Sequence, residues 1–102
     1  MKIETLEKQI NKRLPSKYRI TLVIMPDSDK DDFWAYHNTS IQKSNEDIIS
    51  LNSVISLNLK NVDDEKIYKE LYHEISHLND YVRNGVFVDV LRYLDNCCKK
   101  SS

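Results

Sequence analysis

Apolar residues recur at one period at the two ends of this chain and at another in its middle, and that change constrains the fold more than any other feature. Residues 2–13 set Ile3, Leu6, Ile10 and Leu14 at helical spacing among Lys and Glu, and Pro15 ends the pattern. Residues 18–26, YRITLVIMP, are dense in β-branched and aromatic side chains, which predicts a buried strand of about 7 residues closed by Pro26. DSDKDD, 27–32, follows as a polar loop, and FWAYHNTSI, from residue 33, alternates enough for a second strand. SVISLNLK, 53–60, puts Ile55, Leu57 and Leu59 on one face and Ser56, Asn58 and Lys60 on the other, the pattern of a half-exposed strand at a sheet edge.

The helical period then returns. Asn61, Asp63 and Asp64 are N-cap candidates. Ile67, Leu71, Ile75, Leu78 and Val82 form one apolar stripe, and Asn84-Gly85 supplies a stop. A last helix over about 86–98 turns Val86, Val90, Leu91, Leu94 and Cys97 inward. The order α-β-β-β-α-α predicts an α+β fold: an N-terminal helix, about three strands, a long helix and a C-terminal helix. With 102 residues and neither repeat nor linker, the expectation is a single domain, 1–102, with one core.

Charge selects no partner. Fifteen basic and sixteen acidic residues leave a formal charge of -1, with neither sign gathered into a block, so neither nucleic acid nor an anionic membrane is expected. The opening MKIETLEKQINKRL lacks the apolar stretch of a signal peptide, and no apolar run approaches membrane-spanning length; a soluble, cytoplasmic protein is expected. The cysteines, Cys97 and Cys98, are adjacent and predict two reduced thiols, since a bond between neighbours closes only a strained ring. Abundant Lys, Asn, Ile and Asp with a single Gly suit an AT-rich genome, such as that of a low-GC bacterium or its phage.

Chemistry concentrates in LYHEISHLND, residues 71–80. With Ile67 at zero and about 100° per residue, the apolar stripe spans 0° to about 80°, whereas His73 and His77 fall near 240° and 280°. The two imidazoles therefore sit together, off the core-facing stripe, one turn apart. Zn²⁺ suits such a pair, because a helix holds two neutral imidazole nitrogens at i, i+4 within reach of one tetrahedral ion. Glu74, next to His73, is placed to act as general base on a water activated by the ion.

His73, Glu74 and His77 make an HExxH motif, and here the chain resembles the zincin family of zinc metallopeptidases. The resemblance covers roughly residues 50–98. It implies a small zincin-like domain, a zinc-dependent metallopeptidase or amide hydrolase acting on a peptide or protein, and a substrate laid along an edge strand at residues 54–60. A catalytic zinc takes three protein ligands and keeps a fourth position open. The family's usual third ligands, a downstream Glu or His, are missing, which leaves Asp80, Asp89, Asp95, Cys97 and Cys98. If the last two helices form an antiparallel pair turning at Gly85, Asp95 lies level with the histidines and is the expected third ligand. Asp80 suits a supporting role, orienting His77. The alternative is a catalytically inactive zincin-like module that binds a host or partner protein.

Other features carry less. Asp27, Asp29 and Asp31 have calcium-loop spacing, but Asp32 and Asn38 stand where that loop needs Gly and Glu. His37, in a strand-like aromatic stretch, is expected to be structural rather than a ligand. Tyr81 and Tyr93 are possible partners for a tetrahedral intermediate, with nothing in the sequence to choose between them.

Overall fold

A computed structural model of the protein describes residues 2–25, 34–58 and 63–101. The expected loop at 27–32 with its three aspartates, and the expected roles of Leu59, Lys60 and Asn61, lie outside the described residues. The elements are α1 (Ile3–Lys12), β1 (Tyr18–Ile24), β2 (Trp34–Ser44), β3 (Asp47–Asn58), α2 (Asp64–Val82) and α3 (Val88–Ser101). This is the expected α+β order.

The three strands form one mixed sheet in the order β1-β3-β2, with β1 parallel and β2 antiparallel to β3. The edge assignment of residues 53–60 is therefore corrected. β3 is the central strand, because β2 and β3 are joined by a tight turn at Asn45–Glu46 while β1 pairs along β3's other side. Its backbone is engaged on both sides, so a peptide cannot pair along 54–58. Shielding by two neighbours also explains why Ser56 and Asn58, expected to face solvent, are 6% and 4% exposed.

The helices cover the sheet face that carries Tyr18, Ile20 and Leu22 of β1 and Leu51, Ile55 and Leu57 of β3. α1 supplies Leu6 and Ile10, α2 supplies Ile67, Leu71, Ile75 and Leu78, and α3 supplies Val90 and Leu94, as the stripes predict. Phe87, just before α3, is fully buried and meets the Tyr18 ring edge-on at 5.9 Å, a core contribution that periodicity alone does not reveal.

Local chemistry sets the helix ends. Asp63 caps α2 by accepting from the Lys66 amide at 2.9 Å, and Asp64 and Glu65 sit favourably in the first turn. The helix stops at Arg83, earlier than the expected Asn84-Gly85, with Arg83 itself in the left-handed conformation (φ 59). Gly85 follows at φ 71, so the chain reverses through two left-handed residues. Asn84 ties the turn down: its Nδ2 donates to the Tyr18 hydroxyl at 2.9 Å, and its Oδ1 accepts from the Val86 amide.

The outer side of β1 is also occupied. Asn11 of α1 donates to the Ile20 carbonyl at 2.8 Å and accepts from the Ile20 amide at 2.9 Å, and the Glu7 carboxylate accepts from the Leu22 amide. Two α1 side chains thus stand where another strand's backbone would bond. Among the described residues, no helix is long and apolar enough to cross a membrane.

Candidate functional site

Alternation decides what β2 shows to the helices. His37 pairs in register with Ile55, and Ile55 with Leu22, so the three form one row across the covered face. Leu22 and Ile55 are buried there, and His37 ends the row at the sheet edge. A polar side chain at that place must meet α2. It does: His37 Nδ1 hydrogen-bonds Glu74 Oε2.

Glu74 lies about 100° round from His73, near 340° on the wheel, where the helix turns from solvent to core. Its side chain is 10% exposed. Burying a carboxylate is costly unless it is paired, and His37 is the partner. The bond engages Nδ1 of the His37 ring, so Nε2 is the ring nitrogen not held by Glu74. Glu70, one turn before Glu74, borders the same cluster. Its carboxyl is pushed up from its ordinary value by burial first and then by the Glu74 carboxylate.

The helix brings His73 and His77 together as their spacing predicts. Their Nε2 atoms are 3.1 Å apart, with the rings nearly perpendicular and centroids 4.5 Å apart. Both side chains are exposed. His37 stands over the same place, 6.5 Å from His77 between ring centroids. The site thus holds a close pair of histidines from α2, with a third from β2 near His77.

Two depressions flank the cluster. One, of about 270 Å³, runs between β2 and α2 and is lined by His37, Asn38, Thr39, Ile41, Leu78 and Tyr81. The other, of about 350 Å³, lies along α2 against Lys66, Lys69, Glu70 and His73.

The remaining expected residues are placed elsewhere. Asp95 is about half exposed, and its Oδ2 is 3.1 Å from Lys99 Nζ, one turn further along α3. Asp89 faces Arg92, and Asp80 is exposed. Among the described residues, no three His, Cys, Asp or Glu side chains are drawn together closely enough to hold an ion. Of the tyrosines, Tyr81 borders the β2 groove, while Tyr93 packs under Arg13, whose guanidinium sits 4.0 Å from its ring centroid.

The family models, the curated proteins and the solved structures all return nothing similar to this chain. Function is therefore argued from the site alone. The residue that sequence reasoning undervalued is His37. Its signal was the register of Ala35, His37, Thr39 and Ile41, which share one face of β2, the face that α2 covers.

Proposed function

We propose that the chain is a zinc-dependent hydrolase of the metallopeptidase type, with His73 and His77 holding the ion and Glu74 as general base. One observation carries this reading. Two Zn–N bonds of about 2.0–2.1 Å at a tetrahedral angle hold their nitrogens about 3.3 Å apart, and His73 Nε2 and His77 Nε2 stand 3.1 Å apart. Two cis ligand positions thus fit without rearrangement of the helix. When bound, zinc supplies a Lewis acid that polarises the scissile carbonyl and sharpens a water as nucleophile. Glu74 would serve as general base, taking a proton from the attacking water and returning it to the leaving nitrogen. His37 fixes the Glu74 carboxylate from the β2 side. The β2 groove, with Ile41 and Leu78 on its walls, offers room for an apolar side chain of a peptide.

A second reading, a module that engages a partner protein without turnover, is favoured by the burial of Glu74 and by its carboxylate being already engaged. Metal content of natively purified protein, beside a His73→Ala/His77→Ala variant, comes first; the wild type is expected to hold one zinc that the variant loses. Glu74→Gln should then keep zinc at saturating metal and keep the fold, yet lose at least about 100-fold in cleavage of a mixed peptide library read by mass spectrometry. Cleavage unaffected by Glu74→Gln would remove it as base, and absence of zinc after addition and dialysis would sink the hydrolase.

A further inference from the structure

We infer that His37 is the third nitrogen ligand of the metal site, binding through Nε2, and that Glu74 is the carboxylate that holds its ring. This rests on the zinc site proposed for His73 and His77. Three observations carry it. His37 comes to the α2 pair from β2, 6.5 Å from His77 between ring centroids, and hydrogen-bonds Glu74, 37 residues away in sequence. His37 occupies a row whose other members, Leu22 and Ile55, are apolar and buried, so the imidazole there serves α2 and not the sheet. Finally, Nδ1 is the nitrogen engaged with the Glu74 carboxylate, which leaves Nε2 as the one that can turn to an ion. A ligating histidine that donates its other N–H to a carboxylate is the recurrent outer-shell arrangement of zinc sites.

The distances define what remains to close. Two imidazoles on one tetrahedral ion have centroids about 5 Å apart, from the Zn–N length plus the ring's own radius. His73 and His77 are at 4.5 Å, and His37 and His77 at 6.5 Å. The His37–His77 separation exceeds that spacing by about 1.5 Å, so the assignment requires His37 to move toward His77, and its side chain is 30% exposed. Asp95, held to Lys99 on α3, then has no part in the site.

The test is Zn²⁺ binding by competition with a chromophoric chelator, with circular dichroism of each variant as the check on folding. His37→Ala and the ring-preserving His37→Phe should each weaken Zn²⁺ binding by about 100-fold or more, beyond the 10–100-fold that loss of an outer-shell partner costs. Asp95→Ala should bind as the wild type does. Co²⁺ in place of zinc should show a strong tetrahedral visible band in the wild type and a changed band in His37→Phe. If the folded His37 variants bind Zn²⁺ within about threefold of wild type, or if Asp95→Ala is the one that loses affinity, the assignment is overturned while the His73–His77 site stands. If the wild type binds no more tightly than the His73→Ala/His77→Ala variant, the zinc site itself fails and the assignment with it.

Discussion

At the residue scale, the cluster gathers more negative charge than its surroundings solvate. Glu70 and Glu74 are one turn apart on α2, and burial and then Glu74 raise the Glu70 pKa above its ordinary value. A carboxyl whose folded pKa is raised binds protons more readily folded than unfolded. Between the two values the native state holds the extra proton, so stability falls as pH rises through that window and stays reduced above it. Glu70→Gln should therefore raise the melting temperature at neutral pH, with the gain shrinking as pH falls into the carboxylate range; a gain that is constant with pH would show that charge is not its cause. His37 and Glu74 are a different case, since each meets the other's bonding need at a buried point.

At the element scale, the site is the seam between α2 and β2, and the seam is kept open at one edge because the other edge is closed. Asn11 and Glu7 bond the outer backbone of β1 at Ile20 and Leu22. Asn11→Ala would leave an amide and a carbonyl without partners and should cost about 1–3 kcal/mol, measured by urea unfolding; a loss below a few tenths would mean that water replaces the side chain at no penalty. Much of this scale was legible in the sequence. The stripes of α1 and α2, the Asp63 cap and the HExxH pair follow from spacing alone, because they depend on residues within one or two turns. The central place of β3, and the pairing of Asp95 with Lys99 instead of with the histidines, depend on strand order and helix docking, which no local pattern encodes. His37 lay between: its face was readable from alternation, but its partner was not.

At the scale of the whole molecule, zinc should act on global stability. The site joins the sheet to the helix layer, and an ion that binds only the folded chain stabilises it by about 2.7 kcal/mol at free metal 100-fold above its dissociation constant. For a domain of this size that corresponds to a rise of about 10 °C or more in melting temperature. Calorimetry with and without excess Zn²⁺ should show the rise in the wild type and none in His73→Ala/His77→Ala; an equal rise in both would place the ion elsewhere.

The parallel pairing of β1 with β3 bears on the order in which the molecule assembles. β2 and β3 are joined by a short turn and can zip locally, whereas β1 must find the far side of β3 across the whole intervening hairpin. Contacts so distant in sequence close slowly, since the loop entropy is spent before the pairing rewards it. His37 belongs to the fast-forming hairpin and His73 and His77 to a helix that can form on its own time. A three-histidine site exists only once those two pieces have docked, so uptake of zinc during refolding would time that docking step and neither of the local ones.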